Sequence, residues 1–293
     1  MNSLKISLFG GFTISLDDLC LDVKRSRRQM RLLVHLILNR DRVLGKRELV
    51  DICFGYGEYA GRPKASLNAL NALFHRLRAS LSKVSKELSD SIVCEGGSYR
   101  MILTQDCEID TELFEELSTK ALACTDLSEA KRYALDAISL YTGSFLDGEF
   151  SDSSLKSRAQ SYASTYLRLV ELVCRILWAH GDLSSVESLS KRAIAIDPLC
   201  ESFRYERLSV LCEIGRTNEA VELYNETVRI FAEKLSIAPS KRFRDLGEAL
   251  FLQEKEKTVI LLSSEHEHKA GEIQRVLARV IGAEEKDISV IIK

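Results

Sequence analysis

Polar and cationic side chains recur at helical spacing between residues 64 and 83, where alanines separate them. The fork-shaped groups of Asn and Arg match the hydrogen-bonding edges of adenine and guanine, whereas a Lys ammonium suits a phosphate oxygen. Alanines between them would let a helix approach a duplex closely. The pattern predicts a nucleic-acid contact through Lys64, Asn68, Asn71, His75, Arg76 and Lys83.

The element that must position these residues is a helix. Apolar residues recur every three or four positions between residues 64 and 84, which is the period of one buried helical face. This stripe is expected to face a core and to leave the polar residues on the opposite side. Its members are Leu67, Leu70, Phe74, Leu77, Leu81 and Val84.

Shorter elements precede this helix. Residues 4–22 alternate apolar and polar around the turn signal Gly10-Gly11, which predicts a small antiparallel sheet. The spacing of apolar residues then predicts two helices, at 28–38 and 45–54.

A hairpin follows the long helix. The segment SIVCEGGSYRMIL predicts two strands that turn at Gly96 and Gly97. Tyr99 is expected in the core of this hairpin, and Arg100 within reach of a minor groove or a phosphate. Helices followed by such a hairpin are typical of a winged helix.

Five cations stand at the start of the first helix, in the segment KRSRRQMR at 24–31. Two interpretations stay open, namely a solvated helix face and contact with a nucleic-acid backbone. The positive charge of the whole region favours the second, which is predicted for Arg25, Arg27 and Arg28.

Charge divides the chain near residue 105. Residues 1–104 hold 17 Lys and Arg against 10 Asp and Glu, whereas the remaining 189 residues hold 24 against 33. The near-neutral total of −2 therefore conceals a basic part of +7 and an acidic part of −9. A basic module is the electrostatic signature of a polyanionic partner.

The acidic part repeats itself. Gly181 and Gly215 lie 34 residues apart, and each is expected to close one helix before a polar start to the next. This is the tetratricopeptide (TPR) period, and stacked helical pairs of that kind form a curved surface that binds proteins or pairs with itself. Residues of the required size recur at Val186, Ser190, Ala193, Pro198, Ala220 and Tyr224, with an earlier, degenerate copy at Ala130, Ala134 and Ala137.

These patterns predict a mainly α protein with small antiparallel β elements. We expect a winged helix-turn-helix domain at 1–104 and an all-α TPR-like solenoid at 105–257. Residues 258–293 alternate strand, helix and strand, which predicts a small α/β tail.

Sequence signals for catalysis are missing. The chain has no GxxxxGK[ST], GxGxxG, HExxH or GxSxG segment, and its eight cysteines show no CxxC spacing. We therefore expect no enzyme, no cofactor and no metal, and cysteines that act as small buried hydrophobes. Asp106, Glu108 and Asp110 are interpreted as a solvated linker face. No run of about 18 apolar residues exists, so we expect no membrane partner and a cytoplasmic location.

The order of these segments resembles the Streptomyces antibiotic regulatory protein (SARP) family. The basic part is similar to its OmpR-type winged helix through KRSRRQMRLLVHLILNRDRVLGKRELVD, LNALNALFHRLRASL and GGSYRMIL. The resemblance implies that the helix carrying RLR lies in the major groove and that the Gly-Tyr turn belongs to the wing. The implied DNA-binding residues are Asn68, Asn71, His75, Arg76, Arg78 and Arg100.

The acidic part resembles the bacterial transcriptional activation domain (BTAD) of the same family. The similarity lies in DTELFEELSTKA, ALDAISLYTGSFLDG, GRTNEAVELYNETVRIF and EKLSIAPSKRFRDL, so it extends over about residues 4–254. Where the family carries a Trp after its Leu-Tyr-x-Gly element, Asp152-Ser153-Ser154 stands here.

Two functions follow as hypotheses. The first is a sequence-specific, DNA-binding transcriptional activator whose TPR-like domain contacts RNA polymerase or another protein; the resemblance further implies a homodimer on direct repeats. The alternative is a TPR-type adaptor that uses the winged helix for docking or dimerisation. The basic module with Asn and Arg on one helix face favours the first, because a docking surface does not need it.

Overall fold

The computed structural model describes residues 4–16, 19–20, 26–55, 61–83, 85–103, 107–148, 152–257, 259–262, 272, 275–276 and 289–292. The chain forms two compact units, Met1–Val173 and Cys174–Lys293. The boundary falls inside one helix.

Unit 1 begins with strands and the helices of a winged helix, and ends in a helical region. Its elements are β1 (Leu4–Ser7), β2 (Thr13–Leu16), β3 (Leu19–Cys20), α1 (Arg27–Leu38), β4 (Leu44–Gly45), α2 (Lys46–Phe54), α3 (Pro63–Leu81), α4 (Lys86–Asp90), β5 (Ile92–Glu95), β6 (Ser98–Met101), β7 (Cys107–Ile109), α5 (Asp110–Ala123), α6 (Leu127–Leu140) and the start of α7 (Ser153–Ala179).

The first sheet has the strand order β3-β2-β1-β7. Strands β1 and β2 are antiparallel, with Leu4 opposite Leu16, whereas β7 runs parallel to β1 and places Ile109 beside Ile6. Residues alternate between the two faces of a strand, so these apolar side chains all reach the buried face. The predicted antiparallel sheet is therefore present, with an additional parallel strand supplied from beyond residue 105.

The helices of the winged helix form for local reasons. The side chain of Ser26 caps α1 by accepting the backbone N–H of Gln29, and Pro63 opens α3 with a backbone angle that already suits a helix. Apolar residues predicted to face the core are buried in both helices: Met30, Leu33, Leu36, Ile37, Leu70, Phe74, Leu77 and Leu81.

The structure corrects two details of α3. Leu67, which was expected in the core, is 36% exposed, and Leu73 is buried instead, because the buried stripe is centred nearer Leu70 and Leu77. The helix ends at Leu81 rather than near residue 84; Val84 lies outside the described residues. Helix α4 was not predicted; it begins where the Ser85 side chain accepts the N–H of Leu88.

The second sheet, in the order β4-β6-β5, contains the predicted hairpin. Strands β5 and β6 are antiparallel and join through Gly96 and Gly97, both of which have positive φ angles. Tyr99 lies on the central strand and is buried, as expected for a core residue.

An aromatic cluster joins the sheet to the helical end of unit 1. Phe9, which follows β1, lies 5.3 Å from Phe114 of α5, 4.8 Å from Tyr141 after α6 and 5.3 Å from Tyr162 of α7, between ring centroids. Gly10 has a φ of 69° and lies close to Gly143. A Cβ added to Gly143 would lie 2.8 Å from the Cα of Gly10, which is too close for any other residue at position 143 without a shift. The turn predicted at Gly10 is therefore also a contact between distant segments.

The interpretation of Asp110 as part of a solvated linker face is wrong. Its carboxylate accepts hydrogen bonds from the backbone N–H groups of Leu8 at 2.8 and 2.9 Å and of Phe9 at 3.0 Å. Burial raises the pKa of the Asp110 carboxyl, and these hydrogen bonds oppose that rise. Glu108 is exposed, and Asp106 lies outside the described residues.

Unit 2 comprises the end of α7, α8 (Leu183–Ile196), α9 (Glu201–Glu213), α10 (Thr217–Leu235), α11 (Lys241–Lys257) and the parallel strands β8 (Val259–Leu262) and β9 (Ser289–Ile292). Gly181 and Gly215 follow the ends of α7 and α9 with φ angles of 76° and 73°. Both glycines take the left-handed conformation that commonly terminates a helix, so the predicted 34-residue repeat is present.

Small residues at repeat positions let the helices approach closely. Those fully buried are Val186, Ser190, Ala193 and Ala220, together with Ala130, Ala134 and Ala137 of the earlier copy in unit 1. Tyr224 is half-buried and stacks on Phe243 of α11. The predicted fold class, a winged helix followed by a TPR-like helical region and a small α/β tail, is confirmed. The helix predicted in the tail lies mostly outside the described residues.

The prediction for the cysteines was right for two of them. Cys53 and Cys174 are buried, and burial raises the pKa of the Cys53 thiol to about 12. Cys20 and Cys94 are exposed instead. Among the described residues, no helix is both long and apolar enough to cross a membrane, and no three His, Cys, Asp or Glu side chains are grouped to hold a metal ion.

Candidate nucleic-acid interface

The outer face of α3 is polar, cationic and free of carboxylates. Helix α3 contains no Asp or Glu in its 19 residues. The exposed residues on this helix and just beyond its end include those predicted from spacing: Lys64, Asn68, Asn71, His75, Arg76 and Lys83. Ala65, Ala72 and Ala79 are exposed between them, so the backbone of α3 lies close to the molecular surface.

Arg76 lies along the helix surface. Its Nε donates a hydrogen bond to the carbonyl of Ala72 at 3.2 Å. This contact spans one helical turn and holds the guanidinium against α3, beside the small side chain of Ala72.

Arg78 lies where α3 meets the hairpin, whereas Arg100 lies within the hairpin, on β6. Nη2 of Arg78 donates to the carbonyl of Ile92 at 2.7 Å and thereby ties α3 to β5. Nη2 of Arg100 lies 3.9 Å from a carboxylate oxygen of Glu95, across the turn of the hairpin. Both arginines are half-buried, whereas Arg76 is exposed.

The hairpin also contacts α3 through an aromatic stack. The rings of Phe74 and Tyr99 are nearly parallel, with their centroids 3.8 Å apart. The Tyr99 hydroxyl donates a hydrogen bond to Oδ1 of Asn71 at 3.5 Å. Beside this stack is an open crevice of about 400 Å³, lined in part by Asn71, His75, Arg78 and Ser82.

The cations of α1 divide between surface and core. Arg27 and Arg28 are exposed, and the guanidinium of Arg28 lies 5.1 Å from the centre of the Phe54 ring. Nη1 of Arg31 donates to the carbonyl of Ile52 at 3.3 Å, so Arg31 joins α1 to α2. Arg25 lies outside the described residues.

Two polar contacts that were not predicted join the winged helix to the helical region of unit 1. Nε2 of the buried His35 lies 3.3 Å from Oδ2 of Asp152, whose Oδ1 caps α7 by accepting the N–H of Leu155 at 2.9 Å. Arg40 forms a bidentate ion pair with Glu112. Asp152 is thus a link between the two regions. Spacing could not reveal it, because 117 residues separate His35 from Asp152.

Unit 1 is expected to lose stability as the pH falls below about 6.5, the ordinary pKa of His. Burial lowers the pKa of His35, which outweighs the opposing effect of Asp152; Arg31 also lowers it, and Glu48 raises it. The unfolded chain therefore takes up the proton first, and acid favours unfolding. Thermal melting of the wild type and of His35→Gln between about pH 7.5 and pH 5.5 checks this.

Gln places an amide donor near the position of Nε2 but does not titrate. We expect the wild type to lose more thermal stability than His35→Gln over this range. Parallel decreases in the two proteins would contradict the role assigned to His35. Asp152 stays negatively charged throughout that pH range. Its pKa is lowered in the folded protein, so its carboxylate is protonated only below pH 3.8, the ordinary pKa of Asp.

The fold and the face of α3 define a winged helix joined to a TPR-like helical region. Residues 109–251 match the family model of the bacterial transcriptional activator domain. Regulatory protein AfsR of Streptomyces griseus is 26% identical over 237 residues, which are 79% of this chain and 23% of that protein. Regulatory protein AfsR of Streptomyces coelicolor is 25% identical over 236 residues, 77% of this chain and 22% of that protein.

A solved structure has the same fold. The structure titled "Mycobacterium tuberculosis EmbR in complex with low affinity phosphopeptide" matches with a TM-score of 0.62 and 18% identity, over 86% of this chain and 66% of that one. The family-model match and the two relatives confirm the predicted resemblance: residues 109–251 match the bacterial transcriptional activator domain, and the chain is similar to SARP-type regulators along most of its length. It spans less than a quarter of the curated relatives.

Proposed function

We propose that this chain is a sequence-specific, DNA-binding regulator of transcription, and an activator. In this proposal residues 1–104 bind promoter DNA, residues 105–257 contact RNA polymerase or another protein, and residues 258–293 form an appendage. The observation that carries it is the outer face of α3, where Asn, Arg and Lys stand between alanines on a helix without one carboxylate. No catalytic role, cofactor or metal is part of the proposal.

The dimensions of α3 suit a major groove. A helix of 19 residues is roughly 28 Å long, so Lys64 near its start and Lys83 just beyond its end are placed to contact phosphates on either side of the bases that the helix reads. Asn68, Asn71, His75 and Arg76 lie between these lysines. We propose that Arg27 and Arg28, exposed at the start of α1, contact the DNA backbone, as predicted also for Arg25.

The roles proposed for Arg78 and Arg100 differ from base reading by α3. The hydrogen bond from Arg78 to Ile92 holds the hairpin against α3, whereas the ion pair of Arg100 with Glu95 lies within the hairpin. We propose that Arg100 reaches a phosphate or the minor groove from this position, and that Arg78 chiefly orients the wing.

Residues 105–257 would act by holding a partner protein close to the promoter. A protein bound at a promoter raises the local concentration of anything it contacts, so even weak binding of RNA polymerase becomes effectively intramolecular. Binding of protomers to direct repeats, as a homodimer, would add a second tether.

Selection of binding sites from a random duplex pool tests the proposal. The purified protein is mixed with the pool at about 0.15 M salt, where nonspecific phosphate attraction is already weakened. An enriched motif is expected, and a motif repeated in one orientation would support the direct-repeat arrangement. A folded protein that enriches no motif would overturn DNA reading and favour the adaptor that docks through its winged helix.

Arg76→Ala is expected to weaken binding to the selected site by about 1–3 kcal/mol, because the lost guanidinium reads a base edge. Alanine preserves the helix, since it is the strongest helix former. Fluorescence anisotropy with selected and scrambled duplexes measures the change. The matched control is Arg229→Ala, an exposed cation on α10 that also removes one positive charge. Equal affinities of the Arg76 and Arg229 variants for the selected site would show that Arg76 does not contact a base in the major groove.

Lys83→Ala should reduce the slope of log affinity against log salt by about one, without changing the preferred sequence. The reason is that one fewer phosphate is neutralised and fewer counterions are released. A salt titration on the selected duplex and a repeated selection measure both quantities. An unchanged slope would place Lys83 away from the phosphates, and an altered motif would make it a base reader.

A further inference from the structure

A cleft lies between the winged helix and the start of α7, within unit 1. Helix α1 forms its floor and contacts both walls. On one side, Arg31 donates to the carbonyl of Ile52 on α2. On the other, His35 lies 3.3 Å from Asp152, which caps α7. The cleft has a volume of about 540 Å³, within the range of roughly 300–1,000 Å³ that small-molecule sites occupy.

The cleft is separate from the proposed DNA interface. None of the described residues that line it belongs to α3. They come from α1, from the segment that follows α1, from α2 and from the first turns of α7. A molecule bound there would contact the winged helix and the helical region of unit 1 at the same time.

The lining is partly apolar. Leu38 of α1, Ile52 of α2 and Leu155 of α7 each contribute a side chain, of which Leu155 is buried and the other two are half-buried. His35 adds no charge near pH 7, because burial lowers its pKa. Such a surface favours a ligand with an apolar body, since covering it removes apolar area from water.

Two cations and two anions also line the cleft, namely Arg42, Arg158, Glu48 and Asp51. Arg42 and Glu48 neutralise each other through two hydrogen bonds of 2.6 and 3.3 Å. Among the described residues, Asp51 and Arg158 have no ion-pair partner. Both are exposed, and they stand on different walls, Asp51 on α2 and Arg158 on α7.

These two charges limit the chemistry of a ligand. A purely anionic molecule could pair with Arg158 but would be repelled by Asp51, and a purely cationic one would meet the reverse. A molecule with one charge of each sign could pair with both side chains, and opposite charges that match in this way give specificity.

We propose that this cleft binds a small zwitterion with an apolar body, such as an apolar amino acid or a short apolar peptide. Its ammonium group pairs with Asp51 and its carboxylate with Arg158, over the apolar floor. The site goes beyond the proposed function and does not depend on it, because no residue of the DNA-reading face takes part.

The test uses two probes of this class, L-leucine and L-leucyl-L-leucine. Each is titrated into the full chain, and binding is followed by NMR shifts of the backbone amides. We expect saturable binding of at least one of them. Its N-acetyl derivative and its C-terminal amide each lack one charge, and each should bind about tenfold more weakly or worse.

Two variants locate the binding. Asp51→Asn and Arg158→Gln each remove one charge at an exposed position and retain a polar side chain. Each should weaken binding of the zwitterion by about tenfold. Asp51→Asn should also stop distinguishing the free ligand from its N-acetyl derivative, and Arg158→Gln the free ligand from its amide. Lys156→Gln is the matched control, because Lys156 is an exposed cation of α7 outside the lining.

The outcomes decide the inference separately from DNA reading. Failure of both probes to bind overturns it, and so does binding that the folded Asp51 and Arg158 variants leave at the wild-type level. If either variant does not fold, the blocked derivatives decide on the wild type: equal binding of free and blocked ligands overturns the inference, and weaker binding of both derivatives supports it. Enrichment of a DNA motif is unaffected by either result.

Discussion

Phe114→Ala is expected to destabilise unit 1 by about 3–5 kcal/mol, the usual cost of removing a fully buried aromatic ring. Phe114 is inaccessible to solvent and lies 5.3 Å from Phe9 and 6.0 Å from Tyr141 and Tyr162, between ring centroids. These rings come from four separate segments, which cannot close around an alanine without moving. Urea unfolding of the full chain, followed by circular dichroism, measures the loss.

The effect should be local to unit 1. Hydrogen exchange is expected to show loss of protection in β1 and α5, with little change in α9 and α10. Leu122→Ala, at an exposed position of the same helix, is the control and should change stability by less than about 0.5 kcal/mol. A Phe114→Ala loss no larger than that of the control would contradict the importance of the cluster.

Arg204→Ala is expected to destabilise unit 2 by about 3 kcal/mol. Arg204 is 1% exposed, and its Nε donates to the carbonyl of Pro198 at 2.7 Å while Nη1 donates to the Thr227 hydroxyl at 3.1 Å. Alanine would leave a cavity and a carbonyl without its partner. Urea unfolding measures this change as well.

Two further variants identify the cause. Arg204→Met fills much of the volume without replacing the donors or the charge, so a loss close to that of alanine would identify the hydrogen bonds and the ion pair with Glu226 as the main contribution. Arg229→Ala, an exposed position on α10, should be nearly neutral. A nearly neutral Arg204→Ala would show that the buried guanidinium contributes little net stability.

Periodic features of this protein could be predicted from its sequence. The 3.6-residue spacing in α1 and α3, the 34-residue interval between Gly181 and Gly215, and the Gly96-Gly97 turn each leave a local pattern. The exposed face of α3 follows from the same periodicity, since residues opposite a buried stripe must face solvent.

Contacts between distant residues could not be predicted in this way. The bonds of Asp110 to Leu8 and Phe9, and of His35 to Asp152, span more than a hundred residues. Local composition even argued against the first, because three acidic residues close together usually face solvent. Arg204 was missed for a similar reason, since arginine is rarely buried in full. The start of α4 did have a local signal, because Ser85 is a favoured capping residue.

The parallel pairing of β7 with β1 affects how this chain can evolve. The family model begins at residue 109, yet Ile109 lies beside Ile6 within one sheet, and Asp110 is bonded to the backbone beyond β1. A recombination junction placed between residues 104 and 107 would therefore join halves of a sheet inherited from different parents. Substitutions around Ile6 and Ile109 are expected to accumulate in compensating pairs, because both side chains are buried in one sheet.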